Sequence, residues 1–538
     1  MIVHRFPPAW KFELKRLPSV LSFALLALQL AIPWTARHFV TQDGPSHLYT
    51  ATVAKDLLLH RDSPYAAVYR FQPELVPNWT TTILLAAASS IAGPGRAEQI
   101  LATFSILAGF FSIAYACRAL DPTAPHWSPV INFLLHTWFL WIGFYNFYLG
   151  MALCPLVLGF YIRHVRSLTV RRASILSAGL VLLFFTHLIP AALTMVALVF
   201  VALWVHLQTP RQAAKPIGLL AASLLPTAAL FAMYLDASIT SIGDIAFKPD
   251  FAAAWRIFPM HVFATPAGLG VRQELLYPAV LFYIVMAAVV MRRREWLSAR
   301  AGVLGVAIVA LALYVLVPNT ALGGDEAKIR FAWAVFIFGC LLATSVHRAR
   351  IVRLPLSLFL APFLFASLIL CMRVNARLSR VVDIYASAMD SIPRGATFVR
   401  LRYPTPTLRS KFGFDEAPLD PLYHMDAYVA ANRHLIDLAD YQAPSGVFPI
   451  AFRGSIAKSD QVTLWSLEGP GNTGALALGA LRNDLPMEID YVVIVGEENT
   501  PEAKTTDLAR VLTELGSQMR LVSGASSDFL RVYRRVSK

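Results

Sequence analysis

Long apolar runs recur along the first 372 residues of the chain and then give way to mixed sequence. Runs of roughly 20 apolar residues cross the 30 Å hydrocarbon core of a bilayer as α-helices. The pattern therefore predicts a polytopic α-helical membrane protein. The candidate membrane segments are 17–36, 78–93, 98–116, 128–143, 147–162, 173–188, 190–206, 216–235, 274–291, 301–317, 331–346 and 354–372.

A different pattern begins near residue 378. We expect a soluble α/β domain at 378–538, long enough to bury its own core, after a membrane domain at 1–377. It contains no glycine-rich dinucleotide motif, nucleophile elbow or P-loop, so we expect it to bind a substrate or a partner rather than to catalyse a reaction. The predicted strands are 396–403, 491–496 and 529–536, and the predicted helix is 501–518.

Charge is distributed unevenly between these two parts. The chain is 57% hydrophobic and 15% charged, with a net charge of +14. Residues 378–538 carry 17 Lys or Arg and 19 Asp or Glu, so the positive excess belongs to the membrane part. It is concentrated at 163–172, 292–295 and 347–353, which is typical of short cytoplasmic loops. No interleaved aromatic and basic face accompanies it, which argues against a nucleic-acid partner.

The basic loops also predict the topology. With these loops inside the cell, the basic N-terminus is cytoplasmic and the C-terminal domain is extracytoplasmic. Twelve crossings would contradict this arrangement, because an even number of crossings leaves both ends of the chain on the same side of the membrane. One apolar segment must therefore not cross. Segment 78–93 is short and rich in Ser and Thr, which favours a re-entrant or interfacial helix; alternatively, 128–162 crosses only once. Either choice leaves about 11 transmembrane helices and places the first outer loop, about 37–77, outside.

The cysteines give no sign of a disulfide framework. All of them lie in or at the edge of apolar segments, where Cys behaves as a small packing residue. Their spacing includes no CxxC metal motif. The four residues are Cys117, Cys154, Cys340 and Cys371.

The first outer loop opens with a polar cluster, TQDGPSH, at 41–47. Gly44 and Pro45 favour a turn there, which would let the Asp43 carboxylate point into a cavity and act as a general base. His47 follows one helical turn later and would face the same direction, where it could orient Asp43, bind an acceptor or share a divalent metal. Two ligands alone do not make a metal site, so we assign no metal ligands here. The alternative role of Asp43 is an ordinary helix N-cap.

Further polar residues lie at other helix ends expected on the outer side. Arg330 and Lys328 begin a late helix, where a guanidinium could bind a phosphate or could simply reach the interface. His187 and Asn146 lie at helix breaks, the latter flanked by aromatic residues that could stack on a sugar. Structural roles at the interface are the alternative for both.

These features resemble the GT-C glycosyltransferases, a family that includes protein O-mannosyltransferases and aminoarabinose transferases. The resemblance lies in a first helix followed by an acidic outer loop, many short-looped helices and a soluble C-terminal domain. Asp43 matches the family's first loop acid, and Val76-Pro77-Asn78-Trp79 is similar to its later Pro-Pro-Leu element. The family's second acid is missing here, so His47 or Glu74 would have to supply its role.

The resemblance implies an inverting transferase that moves a sugar from a polyprenyl-phosphate carrier to an extracytoplasmic glycan, lipid or protein acceptor. Asp43 would be the base, Arg330 would bind the donor phosphate with help from Lys328, and His47 would orient or bind the acceptor. We expect no obligatory cofactor, although a divalent metal is compatible, and we expect the protein in a bacterial plasma membrane.

Two other functions fit a polytopic membrane protein. A lipid-linked sugar transporter or flippase would carry charged residues or unwound helices at mid-membrane, whereas here charges gather at the outer rim. A non-catalytic membrane assembly protein is the second alternative.

Overall fold

The computed structural model describes residues 9–123, 127–207, 210–238, 262–266, 270–318, 326–403, 405–412, 420, 422–453, 489–497, 512–513, 515–516, 519–522 and 529–536. Side chains are described from residue 16 and, in the helix that begins at 270, from residue 276. The predicted helix 501–518 lies mostly outside these residues.

The described chain is mostly helical. The helices are α1 (Ala9–Ala31), α2 (Gly44–Leu59), α3 (Trp79–Ala92), α4 (Pro94–Leu120), α5 (Pro129–Leu135), α6 (Trp138–Ile142), α7 (Tyr145–His164), α8 (Val170–Thr186), α9 (Leu188–His206), α10 (Pro210–Ser238), α11 (Gly270–Val289), α12 (Arg293–Trp296), α13 (Ala299–Leu316), α14 (Ala327–Ser345), α15 (Arg350–Ala388), α16 (Pro406–Phe412) and α17 (Met425–Arg433). The strands are β1 (Tyr69–Phe71), β2 (Thr397–Arg402), β3 (Ile436–Asp437), β4 (Ile450–Phe452), β5 (Tyr491–Val495), β6 (Met519–Leu521) and β7 (Leu530–Arg535).

Eight helices among the described residues are long and apolar enough to cross a membrane, and three shorter apolar helices accompany them. The prediction of a polytopic α-helical membrane protein is confirmed, while the number of crossings stays a prediction. The eight segments are Arg16–Trp34, Pro94–Leu120, Tyr145–His164, Leu188–His206, Pro210–Asp236, Ala299–Leu316, Ala327–Ser345 and Arg350–Ala388.

The two segments that complicate the predicted topology are both short in the structure. α3 has 14 residues and lies between Asn78 and Gly93, which both have positive φ and so interrupt regular helix. The 128–143 segment forms α5 and α6, of 7 and 5 residues, instead of one long helix. Neither α3 nor the broken α5 and α6 pair forms a continuous helix of membrane-spanning length.

The chain divides by packing into two compact units. Unit 1 comprises Met1–Pro33, Ala102–Leu140 and Tyr145–Met372, and unit 2 comprises Trp34–Leu101, Trp141–Phe144 and Arg373–Lys538. The first outer loop therefore belongs to the same unit as the C-terminal residues. The sequence-based boundary near 377 stays a prediction.

The core of unit 1 is built around α14. This helix is buried almost throughout, and Trp333 stacks on Phe139 and Tyr148 with ring centroids 5.1 and 5.3 Å apart. α13 packs closely on α9, since a Cβ atom at Gly302 would lie 2.7 Å from the Val201 Cα atom. The four cysteines are buried and reduced.

Unit 2 contains the C-terminal sheet. Its strand order is β3-β2-β5-β7-β6; β2 is parallel to β3 and β5, and β7 is antiparallel to β5 and β6. β2, β5 and β7 coincide with the three predicted strands, so the predicted α/β character of this region is confirmed.

The first outer loop is joined to the C-terminal residues by a second, two-stranded sheet. β1 pairs with β4 in antiparallel register, with Tyr69 opposite Phe452. The Tyr69 hydroxyl donates to the Asp437 carbonyl, and the Asp437 amide donates to the Tyr49 hydroxyl at 2.8 Å. Both tyrosines are fully buried, so the loop and the C-terminal residues share one core.

Candidate functional site

The Asp43 backbone is fixed by the Trp141–Phe144 segment of unit 2. The Asp43 amide donates to the Ile142 carbonyl at 2.8 Å, and the Gln42 amide donates to the Trp141 carbonyl at 3.3 Å. Asp43 is the N-cap residue of α2, but its side chain makes no capping hydrogen bond. The carboxylate is therefore not used for the N-cap role considered above.

Gly143 permits this close approach of two backbone segments. Its φ of +84° lies in the left-handed region, and a Cβ atom there would lie 2.4 Å from the Gly44 amide nitrogen. Only glycine combines that conformation with so little room. Gly143 lies three residues before Asn146, in the stretch 143–148 whose aromatic residues flank Asn146.

His47 lies one turn along α2, and its amide donates to the Asp43 carbonyl at 3.2 Å. The Gln442 side-chain amide lies 3.1 Å from its Nδ1 atom, while the Gln442 Oε1 atom accepts from the Thr50 hydroxyl at 2.6 Å. Gln442 therefore donates to Nδ1, which places the proton of a neutral ring on Nε2. Burial lowers the pKa of His47 to about 4, so the ring is neutral at pH 7.

A second histidine, His424, lies beside Asp43. Its Nε2 atom is 3.8 Å from the Asp43 Oδ1 atom, and its ring stacks on Tyr441 at a centroid separation of 4.7 Å. Burial, and then the positive charges of Arg400 and Arg402, hold the pKa of His424 well below its usual range. The Asp43 carboxylate thus lies beside the neutral imidazole of His424.

A buried ion pair positions the turn that carries His424. The Arg400 guanidinium, on β2, donates to the Tyr423 carbonyl and to the Asp426 carboxylate. The side chains of Arg400 and Asp426 are 3% and 1% exposed, so the ion pair is shielded from water. Its two contacts, at Tyr423 and Asp426, flank His424 in the sequence. The Asp420 amide also donates to the Gln42 side chain at 2.7 Å, next to Asp43.

Sequence reasoning missed His424, Gln442 and Arg400. None of them belongs to a recognisable local motif, and each comes close to α2 only through long-range packing. The predicted Glu74 lies elsewhere on the loop: it is exposed, and its carboxylate accepts from the Gln72 amide at 2.8 Å. The Trp79 indole donates to the Glu74 carbonyl at 3.1 Å.

In unit 1, three predicted or neighbouring residues come together at the start of α14. The Arg330 guanidinium lies over the Phe147 ring at 5.2 Å, and its Nη1 atom is 2.8 Å from the His187 Nε2 atom. His187 also caps α9, since its Nδ1 atom accepts from the Ile189 amide at 3.1 Å. We call Phe147, His187 and Arg330 the arginine cluster.

Hydrogen-bond donors outnumber acceptors around His187. A neutral imidazole has one acceptor nitrogen, yet N–H groups of Arg330 and Ile189 face its two nitrogens. The His187 ring can therefore accept a hydrogen bond from only one of these two groups at a time.

Lys328 and Asn146 are positioned differently from Arg330. The Lys328 ammonium is buried and donates to the carbonyls of Tyr314 and Val315, at 3.3 and 3.0 Å, near the end of α13. Asn146 is buried in the first turn of α7. In the described part of the chain, no group of three or more His, Cys, Asp or Glu side chains is arranged to hold a metal ion.

Solved structures similar to this chain include two of a bacterial ArnT and one of an archaeal oligosaccharyltransferase. One is ArnT from Cupriavidus metallidurans bound to undecaprenyl phosphate, with a TM-score of 0.50 and 10% identity over 99% of this chain and 99% of that chain. Apo ArnT from the same organism gives 0.47 and 12% identity over 98% of each chain. The Archaeoglobus fulgidus oligosaccharyltransferase in complex with Zn and sulfate gives 0.46 and 12% identity over 91% of this chain and 69% of that chain.

The similarity to undecaprenyl phosphate-bound ArnT shows the fold of this protein. No protein-family model matches the sequence, and no curated protein matches it significantly. The protein is therefore an integral membrane protein with the GT-C fold, and the resemblance inferred from its sequence is confirmed at the level of fold.

Proposed function

We propose that this protein is an inverting membrane glycosyltransferase that uses a polyprenyl-phosphate sugar as donor. The observation that carries the proposal is the Asp43 carboxylate, which is buried, makes no helix-capping hydrogen bond and lies 3.8 Å from the neutral His424 ring in a GT-C fold. A carboxylate can accept the proton of a hydroxyl group, and the neutral His424 ring beside it adds no positive charge that would oppose this role.

The reaction needs one proton acceptor and one departing phosphate. Asp43 would take the proton of an acceptor hydroxyl as its oxygen attacks the anomeric carbon of the donor sugar. The bond from that carbon to the phosphate oxygen breaks, and its electron pair leaves with the polyprenyl phosphate. Attack from the face opposite the leaving group inverts the anomeric configuration.

The arginine cluster supports a role in binding the donor phosphate. Arg330 presents a planar fork of donors suited to two phosphate oxygens, and Phe147 holds its guanidinium in place by a cation–π contact. The neighbouring ArnT structure contains undecaprenyl phosphate, a lipid of the proposed donor class. His47 and Asn146 would contribute polar contacts to the acceptor or the sugar.

The remaining features of the proposal follow from the topology predicted above. The acceptor is an extracytoplasmic glycan, lipid or protein, and the C-terminal residues lie outside a bacterial plasma membrane. Lys328 would stabilise the packing of α14 on α13 through the Tyr314 and Val315 carbonyls rather than touch phosphate itself. No step in this mechanism requires a metal.

The deciding experiment measures transfer of radiolabelled sugar in membranes charged with polyprenyl-phosphate sugars. Asp43→Asn keeps the size of the side chain but cannot take a proton, so we expect at least a hundredfold loss of transfer. Asp62→Asn, at an exposed acid of the same loop, is the matched control and should keep full activity. Equal activity of Asp43→Asn and wild type would remove Asp43 from the chemistry. Absence of transfer by wild type from every carrier would overturn the proposal.

A further inference from the structure

The arrangement of His424 suggests a role in the reaction beyond packing. The residue follows Asp43 by 381 positions, yet a ring nitrogen lies 3.8 Å from one carboxylate oxygen. Both residues are buried, His424 being 4% exposed and Asp43 8%. Water therefore screens this contact weakly, and the imidazole dipole acts on the carboxylate at close range.

Three separate contacts hold His424 in this position. Arg400 fixes the backbone at Tyr423, Tyr441 stacks on the ring, and Gln42 accepts a hydrogen bond from the Asp420 amide at 2.7 Å. The last contact joins the chain just before His424 to the residue just before Asp43. A ring needed only to fill space would require none of this directional support.

The geometry points to His424 as a positioning residue for Asp43. An Nε2–H group directed at the carboxylate would select one carboxylate orientation and stabilise its anionic form before the acceptor arrives. Contacts of this kind are often long in the absence of substrate and shorten in the reacting complex. This inference rests on the proposed function, in which Asp43 is the base, and it gives the C-terminal residues a direct part in the reaction.

His424 also takes the place that a second loop acid would occupy beside Asp43. The Nδ1 atom of His47 accepts a hydrogen bond from Gln442, and Glu74 is exposed and accepts one from Gln72. The His424 side chain, in contrast, lies 3.8 Å from the Asp43 carboxylate. A neutral donor replaces a second carboxylate at this position, so no like-charge repulsion arises there.

The first test is the pH dependence of sugar transfer by His424→Ala and His424→Gln. Loss of the N–H donor destabilises the carboxylate, so in His424→Ala we expect the acidic limb of the rate profile to move up by about one pH unit. We also expect a more than tenfold loss of kcat, with the donor KM within twofold of wild type. His424→Gln retains an N–H donor and should restore most of both properties.

The control is His434→Asn, at the opposite end of α17. The His434 backbone has φ of 55°, a conformation that asparagine tolerates, so the pH dependence of sugar transfer should not change. The inference would be overturned if the His424→Ala protein lost stability but kept the wild-type kcat and the wild-type acidic limb of the pH–rate profile, because that result is expected of a purely structural residue. Failure of His424→Gln to rescue the limb would also count against it.

A second test does not depend on sugar transfer. Thermal unfolding in detergent is compared for wild type, His424→Ala, Asp43→Asn and the double variant. We expect His424→Ala to lower the melting temperature less when Asp43 is already asparagine, because the contact has then lost its charge. Equal decreases in the two backgrounds would overturn the inference. If wild type transfers no sugar while the coupling is present, the proposed reaction fails and the contact between His424 and Asp43 stands.

Discussion

The Nε2 atom of His424 lies 3.8 Å from the Oδ1 atom of Asp43, and the residues are separated by 381 positions in the sequence. The first belongs to the turn before α17 and the second to the start of α2. The candidate site in unit 2 is therefore assembled from two distant parts of the chain. Changes in either part should alter the chemistry of the same carboxylate.

The buried His47 predicts a pH-dependent stability. Its pKa is lowered to about 4 by burial, whereas an unfolded histidine titrates near 6.5. Between these values the unfolded chain binds a proton that the folded chain excludes, so stability falls as the pH is lowered from about 6.5 to 4. The decrease from His47 alone approaches about 3 kcal/mol.

This decrease is measured by unfolding wild type and His47→Gln in detergent across pH 4 to 8. The stability difference between the two proteins should be constant above pH 6.5 and should change below it, with wild type losing more as the pH falls. A difference that stays constant over the whole range would contradict the assignment of a neutral buried ring.

Gly143→Ala should disturb both stability and transfer. The left-handed conformation costs an alanine about 1–2 kcal/mol, and the contact of the new Cβ atom with Gly44 adds an overpacking cost of about 1–3 kcal/mol. Because the 42–44 backbone must move, we expect at least a tenfold loss of transfer. Melting curves and transfer assays on the same preparation measure both effects.

Gly446→Ala separates the two causes. Gly446 has φ of +69° and ψ of 2°, which is the left-handed conformation, and nothing lies within 4 Å of the Cβ position, so this variant shows only the conformational cost. It should keep near wild-type transfer. Equal losses of stability in the two variants would show that the close approach of Gly143 to Gly44 contributes nothing.

The Arg400–Asp426 pair should be needed for folding of unit 2. Asp426→Asn removes the negative charge that compensates the buried Arg400 guanidinium, which costs about 3–5 kcal/mol. Asp390→Asn breaks the ion pair with Arg433, in which the Asp390 side chain is 76% exposed and the Arg433 side chain 31%. This change should cost about 0–1 kcal/mol. Comparison of melting temperatures tests the contrast, and a similar decrease in both variants would contradict it.

Arg330 and Lys328 should give opposite results although they are two residues apart. Arg330→Lys keeps the charge but loses the planar fork, so we expect the KM for the polyprenyl-phosphate donor to rise about tenfold. Lys328→Met removes a donor from the α13 carbonyls and should lower the melting temperature with little change in that KM. A larger KM change for Lys328→Met would reverse the two roles.

Much of the fold could be predicted from sequence because its patterns are local. The apolar run 190–206 became α9 at Leu188–His206, and the strand-like run 491–496 became β5 at Tyr491–Val495. Asp43 and His47 could be paired in advance for the same reason, since one turn of helix separates them. Periodicity and turn chemistry act over a few residues and are visible in one chain.

The contacts of the candidate site depend on long-range packing and could not be predicted in the same way. His424 approaches Asp43 only because β2 supplies Arg400 to its turn, and no spacing in the sequence encodes that pairing. Lys328 and Arg330 are of the same charge, but positions two apart on a helix point to different sides, so one meets carbonyls and the other meets His187.

The pairing of β1 with β4 has a consequence for biosynthesis. A ribosome adding about 5–20 residues per second needs tens of seconds to travel from Tyr69 to its partner Phe452. Throughout that interval the first outer loop is already made, while the strand that closes it has not been synthesised. A nascent chain arrested anywhere before β4 would thus reach the membrane with an open strand edge, a ready target for chaperones and proteases.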